Sequence, residues 1–465
     1  MPPETLDSLS KDDLKPLVLQ LLGQNGELLK RVDTLLARIA ELEARDAGKP
    51  PPKTPSNSSL PPSKGQKANR PDKPARQGGK GRPGTARTLC ANPDVTRAIY
   101  ATACACGTVL TPADQPDVFA YDHVDLPPIK PVTTRIHLHR GRCPCCKKRV
   151  AAKPPAGMPP TSPFGPGIVS TVTYFHTSQM ISYARLTEML GGVFGLSVSE
   201  GAIANMLRRA ARPFADAADT IAAIVRKSPV IASDETSARV AGKTWWQWTF
   251  GAATAVYHMI VPTRGKVVPT EFLGEARPKV WLSDRLAAQC GHAQAHQVCL
   301  AHLIRDAQYA IDAGDTVFAP AFMAFLQKAC AIGRRRVELA DTTIAKYARE
   351  LVRERDRVLA LPATATAGAD LRASVSVGSR EKLLVFLTRR DVEPTNNGSE
   401  RELRPSVIMR KVTGGFRSVW GAESYADIRS IVATGRLAGR SPLDAIRAAL
   451  SPAPAALPAP EAAPA

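Results

Sequence analysis

Three carboxylates are spaced so that folding can bring them to one phosphodiester. Asp234 closes the apolar run Pro229-Val-Ile-Ala-Ser-Asp234, and Asp284 closes Lys279-Val-Trp-Leu-Ser-Asp284. Glu400 lies far downstream, in Thr395-Asn-Asn-Gly-Ser-Glu400-Arg-Glu-Leu-Arg404-Pro405. Carboxylate oxygens drawn from two strand ends and a helix suit a pair of hard divalent ions, which polarise a phosphodiester and activate an attacking oxygen. That is the chemistry of cutting and joining nucleic-acid strands. Taken singly, each aspartate is also a common turn or cap residue, and Asn397 through Glu400 fits a capping box with Asn397 as N-cap. The glutamate segment carries Arg401, Arg404, Arg410, Lys411 and Arg417, cations suited to a phosphate backbone lying over the acids. Pro405 predicts a kink in that helix, because its ring removes a backbone donor.

The elements that must position these acids follow from periodicity. Pro229 to Asp234 predicts a short buried strand, Thr244 to Phe250 and Ala255 to Pro262 two more, a helix near Pro269 to Leu273 follows, and Pro278 to Asp284 supplies a further strand. An open sheet exposes its functional groups at the carboxyl ends of its strands, where both aspartates would stand. Trp245, Trp246 and Trp248 are expected to pack both faces of that sheet. His296 to Ala310 and Pro320 to Leu359 predict long helices, Leu361 to Ala373 a loop, and Arg380 to Leu450 a last helical region.

Upstream, Leu14, Leu21, Leu28, Leu35 and Leu42 recur every seven residues, with Val18, Asn25, Val32 and Ile39 at the other seam position. One buried Asn among β-branched residues favours a parallel two-stranded coiled coil, hence a homodimer or higher oligomer. Residues 48–87 are rich in Pro, Lys, Ser, Gly and Arg and predict a disordered basic linker. Cys104-Ala-Cys106 and Cys143-Pro-Cys145-Cys146, separated by a β-rich stretch, predict a zinc ribbon in which Cys104, Cys106, Cys143 and Cys146 hold a structural Zn²⁺. The first knuckle is one residue short, so Cys90, Cys145, His137 or His139 stands as a substitute ligand. Tyr183 to Phe194 and Glu200 to Ala210, joined by Gly195 to Ser199, predict a helix-turn-helix shape whose second helix carries Arg208 and Arg209 toward DNA.

The chain has 465 residues and a formal charge of +20, from 62 Lys and Arg against 42 Asp and Glu, a field that draws a polyanion. No apolar run approaches the roughly 20 residues of a membrane span, and the acidic N-terminus does not read as a signal peptide. A cytoplasmic protein is expected, with DNA rather than a membrane as partner.

An ordered set of motifs resembles one family. Ser233-Asp234-Glu235-Thr236, Thr263-Arg-Gly-Lys266 with Glu271-Phe-Leu-Gly274, Trp281-Leu-Ser-Asp284, Cys299-Leu-Ala-His302-Leu-Ile-Arg305 and Asn396-Asn-Gly-Ser-Glu400-Arg-Glu-Leu-Arg404-Pro405 look like the transposases of the insertion-sequence sixty-six family. The preceding zipper, linker and cysteine module extend the resemblance over nearly the whole chain. It implies an α/β multidomain architecture: an RNase H-like catalytic core with a helical insertion, behind a coiled coil, a zinc ribbon and a helix-turn-helix-like region. The expected segments are 1–47, 48–87, 88–155, 156–226, 227–290, 291–379, 380–450 and a disordered tail at 451–465. It also implies an Asp-Asp-Glu triad of Asp234, Asp284 and Glu400 working with two Mg²⁺ ions on terminal inverted repeats and target DNA, with accessory transposition proteins as further partners. His302 and Arg305, one helical turn apart, would hold the scissile phosphate beside Arg208, Arg209, Arg401, Arg404, Arg410 and Lys411. The sequence after Asp284, Arg-Leu-Ala-Ala, lacks the Gly and Tyr often found there in the family. The alternatives are a non-catalytic zinc-containing DNA-binding dimer and an RNase H-type nuclease.

Overall fold

The computed structural model describes residues 11–46, 50–58, 87–155, 158–160 and 162–451. In chain order the first elements are α1 (Lys11–Asp46), β1 (Arg140–Arg142), β2 (Arg149–Ala151), α2 (Pro166–Thr177), α3 (Tyr183–Phe194) and α4 (Glu200–Arg226). Then come β3 (Val230–Val240), β4 (Lys243–Gly251), β5 (Val256–Val261), α5 (Val267–Leu273), β6 (Val280–Ser283) and β7 (Ala295–Val298). The helices α6 (Leu300–Asp312), α7 (Phe318–Arg335), α8 (Asp341–Leu359), α9 (Thr366–Gly378), α10 (Asn397–Thr413), α11 (Val419–Leu437) and α12 (Pro442–Leu450) complete the chain. Two compact units result: residues 1–65 with 298–394, and residues 66–297 with 395–465. Among the described residues no helix is long and apolar enough to cross a membrane.

The second of these units contains a five-stranded mixed sheet in the order β5-β4-β3-β6-β7. β3 and β4 form an antiparallel hairpin whose turn, Ala241–Gly242, has positive φ at both residues (46° and 78°), as a tight primed turn requires. Cross-strand partners share a face of a sheet. Glu235 therefore lies with its partner Trp248 on one face, and Asp234 with its partner Thr249 on the other. The first face is aromatic: Trp248, Phe250, Phe272 and Trp281 are buried together, with Phe250 and Phe272 stacked at 4.1 Å. The second is more polar, pairing Thr249 with His258 and placing Gln247 Nε2 3.3 Å from His258 Nδ1. Burial and the charges of Arg429 and Arg436 hold the fully buried His258 well below the usual histidine range, so it is neutral.

β5 is an edge strand, and α11 closes it. Ser430 Oγ accepts the His258 N–H at 2.8 Å and Thr434 Oγ1 accepts the Val256 N–H at 3.0 Å. One helix turn separates the two hydroxyls, and two residues of strand separate the two amides, so the helix satisfies donors that would otherwise recruit another strand. α2, α3 and α4 bury a separate apolar cluster of Val172, Leu186, Leu190, Ile203 and Met206.

Helices dominate the other unit. Residues 50–58 were expected to be structureless, yet Asn57 is buried and donates from Nδ2 to Asp312 Oδ2 at 2.8 Å, while its Oδ1 accepts the Thr54 N–H at 2.6 Å. The two Asn57 side-chain bonds, one back to Thr54 and one to α6, explain the difference, since composition alone does not register them. The rest of the expected linker lies outside the described residues, apart from 87, as does the expected tail from 452 on. The buried Arg336 pairs with Glu393 at 2.8 Å and donates to the Arg390 carbonyl at 2.8 Å, fixing the end of α7 to the segment before residue 394.

Other boundaries also moved. β3 runs six residues past Asp234, because Glu235 to Val240 pair with β4 despite their mixed polarity. His296 is in a strand, not a helix; the expected loop over 361–373 contains the start of α9; and the long helix expected over 320–359 is two helices, α7 and α8. α4 continues to Arg226 through Pro213, well beyond the expected Ala210, burying Phe214, Ala218, Ile221 and Val225 on one side. That apolar stripe outweighs the local cost of a proline.

Candidate active site

β3 and β6 run in parallel, with Val230 opposite Val280, Ile231 opposite Trp281 and Ala232 opposite Leu282. Asp234 and Asp284 each stand two residues beyond the last of these pairs, so neighbouring strands deliver them side by side. Adjacent strands lie about 4.8 Å apart. Asp234 is inside the extended β3, whereas Asp284 directly follows β6, where its Oδ1 accepts the Leu286 N–H at 2.9 Å and so shapes its own loop.

Side-chain bonds to β3 anchor the helix that carries Glu400. Asn396 immediately precedes α10, is buried, and donates from Nδ2 to the Ser233 carbonyl at 2.8 Å, one residue before Asp234. Glu400 follows in the first turn of α10. The capping-box expectation is not met: the residue at the N-cap is Asn396 rather than Asn397, and no side-chain cap bond forms there. Helix α10 continues through Pro405 to Thr413. At its far end Arg410 Nη1 donates to Ser237, to the hydroxyl at 2.6 Å and to the carbonyl, which fixes α10 to β3 a second time.

The charges of neighbouring acids act on Asp234. Burial, then the charges of Glu235, Asp284 and Glu400, push the Asp234 carboxyl well above the usual carboxylate range; the Glu235 backbone N–H, 2.8 Å from Oδ1, acts in the opposite direction. Among the described residues no cation pairs with Asp234 or Asp284 through a salt bridge. A buried carboxylate crowded by like charge is a candidate ligand for a hard divalent cation, which would supply the missing charge. Thr249 Oγ1, across the strand from Asp234, is buried without a hydrogen-bond partner.

On the opposite face Glu235 is treated differently. Its Oε1 accepts Arg264 Nε at 3.0 Å and Nη2 at 2.6 Å, and its Oε2 accepts Gln289 Nε2 at 2.7 Å. Gln289 Oε1 in turn accepts the Trp281 indole N–H at 3.0 Å. Burial still raises the Glu235 carboxyl, opposed by Arg264 and reinforced by the Asp284 charge. Neither this network nor Asn396 was read as functional from sequence, although Glu235, Arg264 and Asn396 stand inside the quoted motifs.

The other expected site residues are dispersed. Arg401, Arg404 and Lys411 are exposed on α10, and Arg208 and Arg209 are exposed on α4, where Arg208 lies over the Trp420 ring at 5.2 Å. His302 and Arg305 are on α6, in the helical unit.

The cysteines form two knuckles. The Cys104 N–H donates to the Thr108 carbonyl and the Gly107 N–H to the Cys104 carbonyl, while the Cys143 N–H donates to the Lys148 carbonyl at the mouth of the β1–β2 hairpin. The Thr108 hydroxyl and backbone, then Cys104, bring the Cys106 thiol down to about 7, and the backbone N–H groups of Cys146 and Cys145 lower Cys143. Thiolate-favouring surroundings fit zinc ligation. Among the described residues, no three of these cysteines are close enough to share one ion.

The sequence model described as "Transposase IS66 family" matches residues 161–424, more than half of the chain. No curated protein matches.

Proposed function

This chain belongs to the transposase IS66 family, and from that premise we propose that Asp234, Asp284 and Glu400 form the catalytic centre of a DNA strand-cleaving and strand-joining enzyme with an RNase H-like core. The observation that carries the proposal is the convergence of the three acids. A parallel register sets two of them side by side, and the Asn396 bond to Ser233 brings the helix bearing the third. The strand order β5-β4-β3-β6-β7, with β4 antiparallel to its neighbours and β6 parallel to β3, supports an RNase H-like reading of the sheet.

The residues divide the work. Asp234, central in the sheet, would hold the Mg²⁺ together with Asp284 and Glu400. Bound Mg²⁺ supplies Lewis acidity toward the attacking and leaving oxygens of the phosphodiester. The protein holds the oxygen donors on two strands and a doubly anchored helix, so their geometry costs little rearrangement when DNA arrives. Arg401, Arg404 and Lys411 on α10, and Arg208 and Arg209 on α4, contribute exposed positive charge for the DNA backbone. α1 pairs two protomers so that both element ends are handled together.

Replacing Asp234, Asp284 or Glu400 by Ala and assaying Mg²⁺-dependent nicking and strand transfer on element-end DNA tests the assignment. Each variant should lose both activities. Wild-type rate in any one of them overturns the triad, cleavage without end joining in the wild type points to a nuclease, and DNA binding without any cleavage points to a regulator.

A further inference from the structure

We infer that Arg264 is a DNA-phosphate contact residue, held in its binding orientation by Glu235 and Trp246 on the carboxyl side of the sheet that also carries the catalytic acids. The inference rests on the proposed function, because it is the acids that define where the DNA strand lies.

The ion pair is lopsided in a way that a purely structural pair need not be. The Glu235 side chain is 1% exposed and that of Arg264 is 43% exposed, so a buried carboxylate presents its partner to solvent. Two guanidinium nitrogens, Nε and Nη2, are engaged by Glu235 Oε1. The guanidinium also lies over the Trp246 ring, 4.7 Å from its centroid. Nη1 makes no further bond to the described residues, leaving one edge of the guanidinium for another acceptor. Arginine planes fixed on two sides are suited to phosphate oxygens, since little side-chain freedom remains to be lost on binding.

β5 runs parallel to β3 across the antiparallel β4, so its connection to α5 leaves the sheet on the same carboxyl side as the acids, on the face opposite Asp234, and the other arm of the network reaches the Asp284 loop. Glu235 is the residue after Asp234, and its second oxygen holds Gln289, which ends the short segment that begins at Asp284. Trp281 of β6 holds the same Gln289 from its amide oxygen. One buried carboxylate thus fixes the loop carrying the second catalytic acid and aims a guanidinium from the β5–α5 connection. Gln289 is the side chain that ties this loop down. Lys266, two residues from Arg264, adds charge to the same connection.

The test uses the full-length chain and a duplex oligonucleotide carrying the element end. Affinity is measured by fluorescence anisotropy across a KCl series without Mg²⁺, and cleavage kinetics are measured with Mg²⁺. Arg264→Ala should weaken binding ~10-fold and lower the slope of log affinity against log salt by about one, the signature of one lost phosphate contact. Arg264→Lys should restore the slope but only part of the affinity, and Glu235→Gln should raise KM more than it lowers kcat. If Arg264→Ala does not fold, the double variant Glu235→Gln with Arg264→Ala, which removes both charges, is compared with Glu235→Gln instead. An unchanged salt slope in a folded variant shows that Arg264 is only Glu235's counter-ion and overturns the inference. Asp234→Asn separates the two levels. If it cleaves normally the triad fails, whereas if it is inactive while the Arg264 slope is unchanged, only the present inference fails.

Discussion

Asp234 and Glu235 are adjacent in one strand, and the protein treats them in opposite ways. Glu235 receives two hydrogen bonds from Arg264 and one from Gln289, a full set of partners for a buried carboxylate. Asp234 receives one backbone N–H and faces the charges of two further acids. Buried charges are normally paired, because desolvation costs several kcal/mol per ion. A sheet that pairs one carboxylate and crowds its neighbour with like charge has left room for a cation that is not part of the chain. On the proposed function, Glu235 is the structural acid of the two and Asp234 the catalytic one.

Substitution at the two positions should break the symmetry in activity first. Asp234→Asn is expected to lower strand cleavage by on the order of 10³-fold or more, with DNA binding kept, while Glu235→Gln costs about 10-fold. Single-turnover cleavage assays on both variants check this. Next in size is Asn396→Ala, which releases α10 from β3 and should reduce cleavage ~10- to 100-fold while shifting Tm by only a few degrees. Stability should then move in opposite directions on the two faces. Asp234→Asn relieves repulsion and should raise the Tm of the metal-free protein, whereas Arg264→Ala leaves Glu235 buried without its cation and should cost about 1–3 kcal/mol. Differential scanning calorimetry without added metal distinguishes the two.

The smallest effect concerns a carboxylate far from this chemistry. Burial, then the charges of Asp219 and Glu423, raise Asp427 on α11 from 3.8 to about 7, and the neighbouring Tyr257 is pushed up to about 12, first by burial and then by Asp427 and Asp219, against Arg226. A carboxyl raised in the folded state binds its proton more tightly there than in the unfolded chain. Its stabilising contribution is therefore complete below about 4 and is lost as pH rises through about 7. Asp427→Asn should raise Tm by ~3 °C or more at pH 8 and change it little at pH 4. Mg²⁺ should not alter this difference, because no triad member faces Asp427.

Much of the site was legible because strands report themselves locally. Val230 to Ala232 and Val280 to Leu282 are apolar runs that end near an aspartate, and they pair in parallel in the structure. β3's extension past Asp234 was not legible, since Glu235, Thr236 and Ser237 carry no apolar alternation and are held by hairpin partners instead. Glu400 illustrates a different limit. Local sequence offered a capping box, but a tertiary bond from Asn396 to Ser233 governs the start of α10. Residues 50–58 were misread for the same reason, with Asn57 finding Asp312 at a distance of 255 positions. Composition reports how a segment behaves alone, and these segments take their structure from a partner elsewhere in the chain.

The central claim, that Asp234, Asp284 and Glu400 make one site for divalent metal, is tested most directly by titrating Mg²⁺ into the metal-free protein by isothermal calorimetry. The wild type and Glu235→Gln should bind, while Asp234→Asn, Asp284→Asn and Glu400→Gln should each lose that binding. Equal Mg²⁺ binding by all five proteins would contradict the account.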